Sequence, residues 1–497
     1  MTTVTLSLVS HTNVGKTTLA RTLLGSDVGV VRDAPHVTQF ADGHDLIVTE
    51  AGDRLRLWDT PGFGDSARLA RRLRQRGEPL GWFLSEVWDR WRDHAFWASQ
   101  QALRHVQAES DVVLYLVNAA ESPQAAGYVA PEMDLLAWVG KPVLVLLNQL
   151  GAPRAAAQEA AEVEAWRTHL AHWPLVQAVL PLDAFARCWV HEATLLTAVQ
   201  AVLQGERAEA MARLAAAWRQ RRQQVFDESM QVLAASLART AAARETVAEG
   251  TGLGQRLRQI GGAVARRLDV DAGADASADP ASAAQQRLAA ALEAEVRDST
   301  TRLIQLHDLE GHAQGAILDR VAGQFARHER VPEGKAAIFG GAVTGALAGL
   351  KADIVSGGLT LGGGMLAGGL IGALGAAGLA RGINVVRGTG RSWVAWSDAA
   401  MGPLVEAALL RYLAVAHFGR GRGEWVQGEA PPHWAAAVAE ALAAQRDTLA
   451  ALWAGRSERV ENAGEAERLA AALRPLLAGA ASALLARLYP GSHNPPP

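Results

Sequence analysis

Lys16 and Thr17 close the stretch Ser10-His11-Thr12-Asn13-Val14-Gly15-Lys16-Thr17. The spacing follows G-x-x-x-x-G-K-[ST], a loop whose backbone amides surround phosphate oxygens, with Ser10 in place of the first glycine. Serine is the smallest residue that adds a side chain there, so it should perturb the start of the loop without filling the phosphate cradle. Lysine usage strengthens the reading: Arg carries nearly all the positive charge, and the only lysines are Lys16, Lys141, Lys335 and Lys351. A compact ammonium can thread a narrow loop to reach phosphate oxygens, whereas a planar guanidinium cannot.

A second candidate follows at Asp59-Thr60-Pro61-Gly62, the end of the alternating run Arg54 to Trp58. An aspartate at a strand end can hold Mg²⁺ through water, and the Gly62 amide can sense a terminal phosphate. Between the two motifs, Thr38 in Asp33-Ala34-Pro35-His36-Val37-Thr38-Gln39 is the candidate for a second Mg²⁺ ligand beside Thr17. Lys16 and Thr38 are therefore the candidate catalytic residues. The amides of Asn13, Val14, Gly15, Lys16, Thr17 and Thr18 form the expected phosphate cradle.

These residues need particular supports. Thr3 to Val9 reads as a β-branched, apolar strand and Thr17 to Leu24 as the opening of a helix, so the loop has the strand–loop–helix setting it requires. The apolar runs Pro142 to Leu147 and Val176 to Leu182 read as further strands. The expected fold is an α/β P-loop domain with a mostly parallel sheet and flanking helices over residues 1–200. A helical extension at 64–108 interrupts it, and there Leu84, Val87, Trp88, Trp91 and Ala95 share one helical face. That face either packs on the domain or serves as an effector surface linked to the switch.

The remainder reads as a mainly α-helical domain. Residues 201–335 are rich in Ala, Arg and Leu, with long helices expected from Glu192 to Leu268, a polar linker at 269–282 and helix again from Ala283 to Arg327. Arg219, Arg221 and Arg222 form a basic cluster, read as a solvated helix face. Residues 336–390 are expected to form a glycine-rich apolar hairpin. Ala336 to Leu350 and Ile354 to Ala380 carry no charge, and Gly341, Gly345, Gly349 and Gly364, Gly368, Gly372 recur every fourth residue. Two arrangements fit: a hairpin entering or lying in a bilayer through 336–380, with Trp393 and Trp396 as interfacial anchors, or one packed inside the helical domain. Residues 391–497 form the last region, with two or three amphipathic helices between Pro431 and Tyr489.

Composition sets outer limits. One cysteine, Cys188, excludes an internal disulfide and a cysteine-cluster zinc site, which fits a reducing, cytoplasmic setting, with inner-membrane association if the hairpin binds lipid. A net charge of -3 gives no general attraction for nucleic acid, so none is expected as a partner. The histidines show no metal-ligand spacing.

On the motifs at 10–17 and 59–62, the chain resembles the Era/TrmE-type GTPases. More specifically, it resembles a bacterial family joining such a G domain to a glycine-rich helical C-terminal domain of unknown function. The run Arg411-Tyr412-Leu413-Ala414-Val415-Ala416-His417-Phe418-Gly419-Arg420-Gly421-Arg422-Gly423 adds to that likeness. The resemblance implies a switch protein binding GTP and GDP with Mg²⁺. It also implies K⁺ at Asn13, unless that asparagine only stabilises the loop. A protein effector or a second copy of the chain is the further partner expected.

The family's base-reading [NT]-K-x-D motif corresponds to Asn148-Gln149-Leu150-Gly151, so Asn148 and Gln149 are candidate base contacts and guanine selectivity is open. Ala184, in Asp183-Ala184-Phe185, would stand for the fifth motif. Phe63 occupies the place of the water-orienting glutamine of Ras-like enzymes, which implies slow hydrolysis. The alternatives are a nucleotide-binding scaffold that does not hydrolyse, or a soluble ribosome-assembly GTPase. His417, Arg420 and Arg422 read as structural in preference to an arginine finger.

Overall fold

The computed structural model describes residues 1–24, 42–64, 66–74, 94–150, 156–182, 189–247, 280–309, 383–387, 392–417, 433–457 and 463–489. Thr38, Ala184, the extension residues Leu84, Val87, Trp88 and Trp91, and the stretch 336–380 lie outside the described residues.

Six strands form one sheet: β1 (Thr3–Ser10), β2 (Asp42–Val48), β3 (Arg54–Asp59), β4 (Val112–Asn118), β5 (Val143–Asn148) and β6 (Val176–Pro181). Their spatial order is β2-β3-β1-β4-β5-β6. Every neighbouring pair is parallel except β2 with β3. The apolar runs of β4 and β5 are what a parallel sheet covered on both faces demands.

Side chains alternate between two cores. Leu6, Leu8, Leu55, Leu57, Leu114 and Leu144 face one side. There they meet α1 (Lys16–Leu24) and α6 (Trp189–Val202). Val9, Tyr115, Val117, Val145 and Leu147 face the other. That side is covered by α2 (Ser66–Leu73), α3 (His94–Glu109), α4 (Val129–Val139) and α5 (Ala156–Leu170). Because β1 has β3 on one flank and β4 on the other, chain direction around the sheet reverses there. Open α/β sheets bind ligands at the carboxyl ends beside that point.

The 38-residue α7 (Gly205–Ala242) joins two cores. Its first half adds Ala210, Met211, Leu214, Ala215 and Trp218 to the sheet's own core. Phe226, Met230, Leu233 and Leu237 from its second half enter the core of the helical part. Arg213 donates to Asp53 at 2.7 Å, and Arg207 pairs with Asp111 at 2.8 Å, fastening the first half to the turns that precede β3 and β4. Residues on both sides of the expected division at 200 thus share one core.

The helical part is completed by α8 (Pro280–Leu306), α9 (Asp398–Ala416), α10 (His433–Ala443), α11 (Arg446–Ala454) and α12 (Glu465–Leu488). The last three are the helices expected between Pro431 and Tyr489. It also holds a small antiparallel sheet, β7 (Glu245–Thr246), β8 (Ile383–Arg387) and β9 (Ser392–Trp396), in the order β7-β9-β8.

Of the long helices expected from Glu192 to Leu268, α7 ends at Ala242, where the chain turns extended and pairs Glu245 with Val394, and residues 248–268 lie outside the described residues. The helix expected over Ala283 to Arg327 is described from Pro280 to Leu306, where it ends with Asp308 in a left-handed conformation beyond it, and residues 310–327 lie outside the described residues. Residues 383–387, assigned to the hairpin, form a strand instead. Trp393 and Trp396 are 7% and 3% exposed and lie on β9, so they are core residues and not interfacial anchors. The Arg244 guanidinium lies over the Trp393 ring at 5.1 Å.

The resemblance-bearing run is also structural where it is described. Arg411, 3% exposed, donates to Val296 O at 3.1 Å and Ser299 Oγ at 2.9 Å, and burial pushes its pKa down to about 10. His417 bonds Leu413 O at 2.8 Å and stacks on Tyr489. Arg420 and Arg422 lie outside the described residues. Of the basic cluster, Arg221 pairs with Asp308 and Arg222 with Glu192, both at 3.1 Å. Among the described residues, two helices are long and apolar enough to cross a membrane, Asp398–Ala416 and Glu465–Leu488, although much of α9 is covered by protein.

Candidate nucleotide site

The parallel register places Leu8 beside Asp59, so β1 and β3 end together and the loop after Ser10 begins next to the DTPG turn. The loop takes left-handed backbone at Asn13 (φ 67) and Gly15 (φ 95). Such alternation turns successive N–H groups toward one concavity, an arrangement suited to anions, and α1 begins directly behind it. Gly15 is required twice over, because a Cβ there would also lie 2.9 Å from Asn148 Nδ2.

Lys16 is 7% exposed, and its ammonium donates to Ser10 Oγ at 3.1 Å. Ser10 in turn donates to His11 O at 2.5 Å. The serine therefore gives the lysine a resting partner. Burial holds the Lys16 pKa below the ordinary lysine value, against the opposing pull of Asp59 and Glu132. Thr17 Oγ1 donates to Asp59 Oδ2 at 2.5 Å, while the buried Asp59 Oδ1 has no partner. Burial raises the Asp59 pKa, and Lys16 and Thr17 oppose the rise. An orphaned carboxylate oxygen beside a threonine hydroxyl is a donor set that fits Mg²⁺.

The DTPG turn is pinned by Thr60 Oγ1, which donates to Leu8 O at 2.6 Å. Phe63 N–H donates to Ser10 O at 2.9 Å, and Thr12 N–H donates to Phe63 O at 3.2 Å. The Phe63 ring is wholly buried in the core that contains Leu69 and Phe96. Its side chain thus packs into that core. Asn148 is also fully buried, and its amide donates to Val14 O at 2.8 Å, bracing the loop. Gln149 takes a left-handed backbone conformation (φ 59), and Asn13 is exposed. The structure thus brings Asn13 to Thr18, Asp59, Gly62, Asn148 and Gln149 together.

One feature of this site is absent from the motif reading: Glu132, fully buried on α4, bonds His11 Nδ1 and Tyr115 OH, each at 2.7 Å. Its signal in the sequence was a carboxylate beside Met133 and Leu136 on a largely apolar helix.

Strand, loop, helix and neighbouring strand-end aspartate define a P-loop GTPase domain, and the family model described as "50S ribosome-binding GTPase" matches residues 5–149. The model described as "Domain of unknown function (DUF3482)" matches residues 167–474, more than half of the chain. The protein belongs to the DUF3482 family, and the part of the chain before that match carries the GTPase domain.

Among solved structures, the chain is similar to Era in complex with MgGDPNP and nucleotides 1506–1542 of 16S ribosomal RNA, at 17% identity and a TM-score of 0.30. Era from Aquifex aeolicus bound to GDP.AlF4⁻ matches at 18% identity and the same TM-score. Each match covers 41% of this chain and 59% of the Era chain. A structure of chloroplast translocon components matches at 15% identity, covering 41% of this chain and 86% of that one, with a TM-score of 0.27. No curated protein matches the sequence.

The Ser10 contact carries a prediction. Ser10→Gly removes the resting partner of Lys16, so nucleotide affinity should rise by about three- to tenfold, the worth of one modest hydrogen bond. Equilibrium titration of both proteins checks it, and unchanged or weaker binding would show that the serine does not hold the lysine back.

Proposed function

We propose that the protein is a GTP-binding switch that hydrolyses GTP slowly with Mg²⁺, and that its helical domain couples nucleotide state to a partner or a membrane. The observation that carries this reading is the meeting of the phosphate-loop Thr17 with the strand-end Asp59 at 2.5 Å, beside a buried Lys16. Amides of residues 13–18 would hold the phosphates, and Lys16 would leave Ser10 for a phosphate oxygen. Thr17 and Asp59, with Thr38, would hold Mg²⁺, which offsets charge on the phosphates when bound. The exposed Asn13 would be the K⁺ ligand. Asn148 and Gln149 would lie beside the base, with Ala184.

Slow hydrolysis is supported by Phe63, whose buried ring leaves that position without a group to orient water. Coupling to the helical domain is supported by α7, one continuous helix about 57 Å long at 1.5 Å per residue, which shares a core with each part. Membrane contact would fall to residues 336–380, and a second copy or a protein effector are the other partners.

The test is GTP turnover by the full chain with Mg²⁺ in KCl and in NaCl. The expected rate is on the order of 10⁻⁴ to 10⁻² s⁻¹, the range of unassisted switch GTPases, and higher in KCl. Faster turnover of ATP than of GTP would overturn the reading. Bound but unhydrolysed GTP would favour a non-hydrolysing scaffold.

A further inference from the structure

The Glu132 carboxylate has partners on three elements. It accepts from His11 Nδ1 at 2.7 Å, from Tyr115 OH at 2.7 Å, and from the Ser66 hydroxyl. His11 is the first residue after β1, Tyr115 lies on β4, and Ser66 opens α2. The His11 ring is further held by stacking on Tyr128, with centroids 4.8 Å apart. A fully buried carboxylate is costly to leave without donors, so these contacts resist separation.

Two of the donors bracket the DTPG turn. His11 opens the phosphate loop and Ser66 lies two residues after Gly64, so the carboxylate fastens the phosphate loop on one side and the chain leaving the turn on the other. Between them Phe63 is docked on the loop through its bonds to Ser10 O and Thr12 N–H. Gly62 is consequently very close to the loop: a Cβ there would lie 3.0 Å from Lys16 Nζ and 3.1 Å from Thr12 Cα. The terminal phosphate of a nucleoside triphosphate belongs between the loop lysine and this glycine amide. The Lys16 side chain can move aside, but the Thr12 backbone, 3.1 Å from a Cβ placed on Gly62, cannot do so readily, so room for that phosphate would come from withdrawal of Gly62, which a diphosphate would not require.

We propose that Glu132 is a positioning residue that favours nucleoside diphosphate over triphosphate by holding the segment after DTPG against the phosphate loop. The inference rests on the nucleotide site proposed above and adds a determinant of which nucleotide the resting protein holds. Triphosphate must work against the His11–Glu132–Ser66 connection. Weakening that connection raises triphosphate affinity relative to that of diphosphate.

The experiment is equilibrium titration of the full chain, in Mg²⁺, with fluorescent GDP and a fluorescent non-hydrolysable GTP analogue. Wild type, Ser66→Ala and Glu132→Gln are compared. The expected result is a gain of about tenfold in analogue affinity relative to GDP in both variants, within the usual range of coupling between sites. An unchanged ratio, or a parallel loss of both affinities in Ser66→Ala, would overturn the proposal, since damage to the fold moves both ligands together. Ser66→Ala removes a single hydroxyl and carries the test alone if Glu132→Gln does not fold. Failure of the wild type to bind either nucleotide would instead bring down the proposed function, and this inference with it.

Discussion

Lys16→Ala should reduce nucleotide affinity by at least about a hundredfold. An ammonium placed against phosphate oxygens makes charge-assisted hydrogen bonds worth about 1.5–3 kcal/mol each, and the loss of two reaches that factor. The fold should survive, because the lysine's hydrogen bond goes to a single neutral hydroxyl, Ser10 Oγ, and its burial opposes its charge. A pH series gives a second reading of the same group. Burial lowers the Lys16 pKa, and bound phosphates would raise it, so binding takes up a proton where the free lysine is partly neutral. Affinity in the wild type should therefore fall as pH rises through the lowered pKa of the free site. Lys16→Ala should lose that alkaline dependence. Retained affinity in the variant, or a wild type indifferent to alkaline pH, would contradict the assignment.

A chain ended at residue 200 should fail to fold, and one ended at Arg222 should fold. The sheet face under α7 is completed by Met211 and Leu214, both fully buried, and by Trp218 at 8% exposure. Removing such side chains costs on the order of 2–5 kcal/mol each, which over three residues approaches a whole domain stability of about 5–15 kcal/mol. The longer chain keeps all three, together with the Arg213–Asp53 and Arg207–Asp111 pairs. Circular dichroism and thermal melts of the two chains decide it. A cooperative melt from the shorter chain would show that the sheet does not depend on α7.

This dependence was not legible in the sequence. Helical periodicity over Glu206 to Ala242 reveals which faces are apolar, but not that one helix serves two cores in succession. The phosphate loop and the DTPG turn were legible because their chemistry is local: backbone geometry, one lysine, one threonine and one aspartate at fixed offsets. Asn148 was legible as part of a base motif by resemblance, whereas its bond to Val14 O depends on how β5 ends beside β1. Glu132 was missed because its partners His11 and Tyr115 lie 121 and 17 residues away in sequence, and only the packing of α4 on the sheet brings them together. Trp393 and Trp396 misled for a related reason. Tryptophans next to arginines suit a membrane surface as well as they suit a small buried strand, and the pairing of β9 with β7 and β8 decides for the strand.

The most direct measurement is equilibrium titration of the purified full chain with fluorescent GTP, GDP and ATP in Mg²⁺. The account predicts saturable binding of GTP and GDP, weakened when Mg²⁺ is removed by chelation. Absence of saturable binding, or binding of ATP in preference to GTP, would contradict it.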